Sequence, residues 1–260
     1  LRRGGGAVHR RPGRALRAEL MLGEDSAGTF DDHADLPARI DAATALRRLA
    51  HAMIAHRVDV SLLHRMAAEA DRLAAAIETQ PRRDRLEELL GSPRFAAALQ
   101  GGSLARVVED GAFVDLFHDS PVSGSASPFS VGLRIRREGE ESIGTVALAP
   151  GWQGAPGRGH GGVVAACVDE TIGGLLPVLG TMAFTGRLSL DYVAPCPLGE
   201  PLEFRARLDR REGRKLHIVC TGAGPRGAFV EASSVFIAVE PEDFQSFFDE
   251  TGPPGDPSST

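Results

Sequence analysis

Residues 157–170 read GRGHGGVVAACVDE and combine two features that an ordinary buried helix avoids. Three glycines surround His160 where an apolar helical pattern begins, although glycine is a poor helix former. Asp169 then lies among apolar residues, where an ionised carboxylate is costly to bury. The stretch therefore indicates that the residues in the first turn and in the middle of this helix serve a role other than packing.

The glycines lie in the first turn of a predicted helix over Gly161–Leu179. Backbone N–H groups in a first helical turn have no partner within the helix, and the helix dipole is positive there. Without side chains, the N–H groups of Gly161 and Gly162 can closely approach a ligand carbonyl or phosphate. Taken alone, a Gly-Gly pair favours the simpler alternative, which is tight packing of the helix against a sheet.

The acidic residues of this helix point to different purposes. Asp169 is tolerated among apolar neighbours only if it is paired or faces a solvated cleft. Glu170 points about 100° away from it, and a salt bridge to an arginine explains Glu170 better. Gly161 and Asp169 are eight residues apart, which is ~12 Å along a helix. If both act on one bond, an antiparallel helix of a second subunit must supply one of them, which predicts a dimer with two equivalent sites.

The rest of the chain from about Phe129 has the alternating pattern of strands. Alternation predicts strands over 131–136 and 142–148 before the helix, and over 182–193, 202–210, 215–221 and 228–239 after it. The helix is apolar almost all round, so it is expected to be buried. The order of elements predicts an α+β domain in which an antiparallel sheet wraps around one long central helix.

The segments on either side divide the chain into four parts. Residues 1–38 are expected to be disordered, 39–110 to form a helical extension, 111–244 to form the α+β domain, and 245–260 to form a flexible tail. Two helices follow Ile40, Asp59 or Ser61 can cap the second, and a short helix over 85–90 stops at Gly91. His51, His56 and His64 lie in this extension, but their spacings do not stack metal ligands on one turn, so no metal site is predicted.

Composition excludes several functional classes. The net charge of -6 gives no reason to expect nucleic-acid binding. Three cysteines without a C-x-x-C pair predict neither a disulfide framework nor a zinc site, and fit a reducing cytoplasm. No apolar run reaches the ~18 residues of a membrane span. The arginine-rich opening lacks hydroxyl residues and an apolar core, so no targeting signal is predicted, and Met21 is a candidate start.

Four motifs carry a resemblance to a known family: WQGAPGRGHGGVVAACVDE, TGRLSLDYVAPCPLGEPL, EGRKLHIVC and EASSVFIAVEP. In order and spacing, residues 113–244 resemble the hotdog-fold acyl-CoA thioesterases, in particular the PaaI-like branch and its mammalian thioesterase-superfamily relatives. The N-terminal helices lie outside the resemblance. It implies the hotdog fold, hydrolysis of an acyl-CoA without a cofactor, and assembly as a homodimer or a dimer of dimers.

The resemblance also implies roles for individual residues. Asp169 matches the general base, or the nucleophile of some members, and the Gly161 N–H matches the donor that polarises the thioester carbonyl. His160 matches a residue that positions the acyl group or water, and Thr185 one that hydrogen-bonds the carboxylate or the water. One departure is Gly154, which stands where several PaaI-like enzymes have asparagine; the adjacent Gln153 is a candidate substitute.

Coenzyme A carries three phosphates that require cations. The candidates are Arg158, Arg187, Arg214 and Lys215, and for Arg158 a plain surface role is an equal alternative. Simple alternation places Thr185 and Arg187 on one face of their strand, where both could address one ligand.

Three alternative functions fit the same fold less well. A hydratase would be expected to carry a D-x-N-P-x-H string, which does not occur. A repressor-like acyl-CoA sensor with a DNA-binding arm would be expected to show a basic stripe, which the helical extension lacks. A degenerate protein that binds acyl-CoA without hydrolysis is disfavoured because all four implied site residues are present. No residue identifies the acyl group.

Overall fold

The alternating segments form one antiparallel sheet in the computed structural model, which describes residues 35–91, 108–115 and 117–239. The sheet has seven strands in the order β1-β2-β3-β5-β6-β7-β4. In chain order these are β1 Phe113–Val114, β2 Arg134–Glu138, β3 Glu141–Val146, β4 Met182–Tyr192, β5 Leu202–Glu212, β6 Lys215–Gly224 and β7 Gly227–Val239. The predictions made for residues 1–34, 92–107 and 240–260 concern residues outside those that the structure describes.

Helix α4 lies under this sheet, against β3, β5 and β6. It spans Gly161–Gly173 and buries one side of its surface. Its buried apolar side chains join those of the strands in one core whose largest members are Phe204, Phe229, Leu133, Ile143, Leu148, Ile172, Leu175, Leu216 and Ile218. The predicted α+β architecture, an antiparallel sheet around one central helix, is therefore confirmed.

The central helix is shorter than the sequence pattern predicts. Helix α4 ends at Gly173, and a separate short helix, α5, spans Leu176–Leu179. Pro177 lies in the first turn of α5, where its missing N–H costs no helical hydrogen bond. At Gly174 a Cβ atom would stand 2.7 Å from Ile135 Cγ2, so the chain approaches β2 too closely for any side chain. The prediction of one helix over Gly161–Leu179 was wrong: Pro177 has no N–H to donate to the Gly173 carbonyl oxygen, so the hydrogen bonding of a continuous helix is interrupted there.

This segment also has the composition of a membrane span. Among the described residues, Gly161–Leu179 is the one stretch long and apolar enough to cross a membrane, with 19 residues and a mean hydropathy of 1.6. The core helix of a folded domain meets the same criteria, and 44% of the stretch is buried inside this one. Packing under the sheet accounts for its apolar character.

Three helices precede the sheet: α1 Leu36–Ala55, α2 Val60–Glu78 and α3 Arg85–Gly91. Helix α1 begins before Ile40, because Pro37 starts a first turn well. Asp59 caps α2 by accepting a 2.8 Å hydrogen bond from the Ser61 N–H, as one of the two predicted caps. Helix α1 contacts the 3₁₀ turn Pro150–Trp152, whereas α2 buries none of its residues.

Candidate active site

The N-terminus of α4 presents one free backbone donor. His160 is the N-cap, and its Nδ1 accepts the N–H of Gly162 at 3.0 Å. Of the two N–H groups that the sequence analysis expected to be free, Gly162 is therefore already used. Among the described residues no group accepts from the exposed N–H of Gly161. Only this N–H is available to hold a ligand oxygen.

Tyr192 covers the same helix start and was missed by sequence reasoning. Its hydroxyl donates to the Gly161 carbonyl oxygen at 2.8 Å. It lies at the end of β4, opposite the buried Val230 of β7, so it shares the helix-facing side of the sheet. That position could have been found by extending the alternation of β4, but the contact itself spans 31 residues.

Asp169 and Thr185 meet at the other end of the site. The Thr185 hydroxyl donates to Asp169 Oδ1 at 3.1 Å. Both side chains line a cleft of about 300 Å³ between α4, α5 and β4. Apolar side chains supply much of its wall, among them Val114, Ile135, Leu176, Pro177, Met182 and Phe236. The arrangement places an oriented carboxylate beside an apolar cavity.

Glu170 lines the same cleft but has different partners from those predicted. Its Oε1 accepts hydrogen bonds from the hydroxyls of Ser120 and Ser123. The predicted salt bridge to an arginine was wrong. The two serines belong to the segment between β1 and β2. Their hydrogen bonds to Glu170 therefore hold that segment against α4, although they lie about 50 residues earlier in the sequence.

A bulge in β4 separates Thr185 from Arg187. Thr185 stands opposite the buried Phe236, and Arg187 stands opposite Val235, because the register shifts between them. Neighbouring residues of β7 point to opposite faces of the sheet. Thr185 therefore faces α4, whereas Arg187 lies on the outer face with His217. The prediction that the two share a face was wrong, because alternation cannot register an extra residue.

The remaining cationic candidates lie in two places. Arg214 lies in the turn between β5 and β6 and Lys215 begins β6; the Arg214 Nε donates to the Ala238 carbonyl at 2.9 Å. Ala238 pairs with Ala183, which lines the cleft. Arg158 is exposed near the α4 N-terminus, where its backbone bridges Pro197. Within one chain these cations do not surround one ligand.

The loop before α4 explains the departure at Gly154. A Cβ atom there would stand 3.0 Å from the His160 Cα, so a side chain would press on the helix start. The Gln153 side chain already has a partner within the loop, because its Oε1 accepts the Gly157 N–H at 3.2 Å. It is therefore not free to replace the asparagine. Within the described ranges, no three acidic, histidine or cysteine side chains form a metal-binding group.

Comparison with known proteins gives a consistent result. Residues 157–222 match the Thioesterase superfamily. The chain is 36% identical over 148 residues to acyl-coenzyme A thioesterase THEM4 of Mus musculus, covering 50% of this chain and 64% of that protein. It is 33% identical over 95 residues to THEM4 of Bos taurus, covering 36% of this chain and 39% of that protein. The chain thus spans less than two thirds of the length of these curated relatives.

A solved structure extends the similarity to the fold. The crystal structure of a thioesterase superfamily protein superposes with a TM-score of 0.62 at 25% identity, covering 80% of this chain and 92% of that one. The superposition covers more of this chain than residues 157–222, which match the family by sequence. The domain built on the seven-stranded sheet and α4 therefore has the hotdog fold, and its residues 157–222 are similar to the thioesterase superfamily.

Proposed function

We propose that the protein hydrolyses acyl-CoA thioesters to the free acid and coenzyme A. The observation that carries the proposal is the Asp169 carboxylate, which the Thr185 hydroxyl holds at 3.1 Å beside an apolar cleft. The names of the curated relatives, acyl-coenzyme A thioesterases, support the same activity. The cleft fits an apolar acyl group.

In this proposal Asp169 acts on the thioester carbonyl carbon. It either removes a proton from the attacking water or attacks the carbonyl itself, forming an anhydride that water then hydrolyses. The Gly161 N–H stabilises the negative charge that develops on the carbonyl oxygen. The C–S bond breaks, the new C–O bond forms the acid, and the thiolate takes up a proton.

The proposed active form is a homodimer, or a dimer of dimers. Gly161 and Asp169 are eight residues apart on α4, which is ~12 Å, so one chain cannot bring both to one carbonyl. Strand β4 is eleven residues long and pairs only with β7 among the described strands. A free edge of that length is a surface on which a second copy can pair. The partner's α4 would then supply the missing N–H.

Coenzyme A is proposed to bind between the two groups of cations. Arg214 and Lys215 stand beside β7, whose Phe236 lines the cleft, and Arg158 stands near the α4 N-terminus. In an antiparallel dimer, Arg158 of one subunit approaches the cleft of the other, together with Gly161. Arg187 lies on the outer face, so any role for it in this site requires the coenzyme to pass the edge of the sheet.

The direct test is a hydrolysis assay with the purified full chain. Release of free thiol is followed for acyl-CoAs of increasing length and for aromatic acyl-CoAs, with Asp169→Asn as the matched inactive variant. We expect turnover of at least one apolar acyl-CoA, unchanged by a chelator, and its loss in the variant. Restoration of chelator-inhibited activity by a divalent metal would overturn this mechanism.

A second candidate is an acyl-CoA-binding protein without hydrolytic activity. The incomplete site within one chain favours it, because a monomer would bind acyl-CoA without the Gly161 donor facing Asp169. Tight binding of acyl-CoA without thiol release, in a dimeric sample, would support it. A reducing compartment such as the cytoplasm is also proposed, because Cys167, Cys196 and Cys220 are all buried as free thiols.

A further inference from the structure

Helix α1 contacts the Pro150–Trp152 turn, which precedes α4. His51 Nδ1 accepts the N–H of Gly151 at 3.2 Å, across 100 residues of sequence. The same ring meets the Trp152 ring edge to face, with 5.6 Å between their centroids. A Cβ atom at Gly151 would stand 2.5 Å from His51 Nδ1, so this contact requires glycine in the turn.

Trp152 carries this contact onward to the start of α4. Its carbonyl oxygen accepts the His160 N–H at 2.9 Å. His160 Nδ1 in turn accepts the Gly162 N–H at 3.0 Å. Gly161 lies between these two hydrogen-bonded residues, so the direction of its free N–H follows the position of Trp152.

Helix α1 is held in place by polar contacts more than by apolar burial. Ala43 is its one buried residue. Arg47, one turn before His51, donates from Nη1 to the Ser125 carbonyl at 3.1 Å and also to the Ser127 carbonyl. These bonds fix α1 on the segment between β1 and β2 and thereby determine where His51 contacts the turn.

We propose that His51 is a positioning residue: by holding the Pro150–Trp152 turn, it aims the Gly161 N–H at the thioester oxygen. It touches no reacting atom and acts through Trp152 and His160. The activity part of this inference rests on the proposed hydrolysis. The structural part, that His51 orders the turn and the α4 N-terminus, does not.

The contact works only with an unprotonated acceptor at Nδ1. Burial, and then the Arg47 guanidinium, lower the pKa of His51 from its usual value. Arg47 is the charged group facing it from α1, and the turn Pro150–Trp152 contributes no titratable side chain. Because the folded-state pKa is lowered, the stabilisation is present above the ordinary histidine pKa and is lost as pH falls through the lowered value.

The experiment compares His51→Ala with His51→Asn, whose amide oxygen restores a non-titrating acceptor close to the ring nitrogen. We expect His51→Ala to lower kcat about tenfold with KM within about twofold, since the lost interaction aims a transition-state donor. His51→Asn should recover most of kcat at pH 8. Below pH 6 it should lose less activity than the wild type, because the asparagine acceptor cannot be protonated as the His51 ring can. Leu49→Ala, on the exposed side of α1, is the control and should match the wild type.

Amide hydrogen exchange supplies a readout that needs no activity. In His51→Ala the hydrogen-bonded amides of Gly151, His160 and Gly162 should exchange about tenfold faster than in the wild type, and His51→Asn should restore their protection. Equal kcat in folded His51→Ala and wild type would overturn the inference, as would equal loss in both variants. If the wild type hydrolyses no acyl-CoA, the proposed function fails, and unchanged exchange would separately refute the positioning. Should His51→Ala not fold, the pH profile and exchange of His51→Asn decide.

Discussion

Thr185 differs from valine by one hydroxyl and from serine by one methyl group, which allows its hydrogen bond to be separated from its shape. Its hydroxyl donates to Asp169 Oδ1 at 3.1 Å. We expect Thr185→Val to lower kcat about tenfold, because a hydrogen bond to a charged group is lost while the volume is kept. Thr185→Ser should retain most of the activity. Steady-state kinetics on one acyl-CoA check this, and equal losses in both variants would show that packing, not the bond, matters.

Arg214 and Lys215 are expected to contribute to coenzyme affinity and not to the chemical step. Replacing both by glutamine should raise KM for an acyl-CoA several-fold and leave kcat largely unchanged. A pantetheine thioester lacks the nucleotide phosphates, so its KM should hardly change. Arg226→Gln is the matched control, since that arginine is also exposed and pairs with Glu200. Equal changes on both substrates would place these cations outside the coenzyme site.

At the scale of the element, two adjacent glycines at the end of α4 have different surroundings. A Cβ atom at Gly173 would meet nothing within 4 Å, whereas at Gly174 it would stand 2.7 Å from Ile135 Cγ2 and 2.9 Å from Ser142 Oγ. Gly174→Ala should therefore destabilise the fold by about 1–3 kcal/mol through overpacking. Gly173→Ala should be neutral or should stabilise by up to about 1 kcal/mol.

Urea unfolding followed by circular dichroism, at one fixed protein concentration, measures both changes. The concentration is fixed because subunit association contributes to apparent stability. If Gly174→Ala is as stable as the wild type, the chain after α4 does not pack against β2 as closely as the structure shows. The pair thus separates the tightly packed Gly174 from Gly173, which has room for a side chain.

At the scale of the whole molecule, the division of the site between subunits can be tested with two inactive variants. Asp169→Asn removes the carboxylate, and Gly161→Val crowds the N–H. A Cβ atom at Gly161 meets Tyr192 Oη at 3.5 Å, an ordinary contact, so the Cβ of the second variant fits without a clash. Each alone should be inactive. A heterodimer of the two contains one site with both changes and one with neither.

After subunit exchange in an equal mixture, about half of the dimers are mixed and each has one intact site of two, so about a quarter of the wild-type activity should return. Labelled subunits or native mass spectrometry verify that mixed dimers form. Circular dichroism of Gly161→Val excludes an unfolded control. Mixed, folded dimers that stay inactive would show that Gly161 and Asp169 do not meet across an interface.

The sequence by itself determined the class of fold and the start of its central helix. Alternation and the apolar helix are local patterns that report which side of an element is buried, and they predicted an antiparallel sheet around one helix. The glycines around His160 and the acid at Asp169 marked the two ends of the candidate site for the same local reason. The fold class and these two marked positions can both be inferred from residues that are close together in the sequence.

Only the tertiary structure decided which of these groups meet and on which face they lie. The bulge between Thr185 and Arg187 moves Arg187 to the outer face, because one extra residue reverses every later side chain. Glu170 bonds to serines about 50 residues away, and His51 reaches Gly151 across 100 residues. Such contacts follow from how close elements approach one another in space, which no local period of the sequence records.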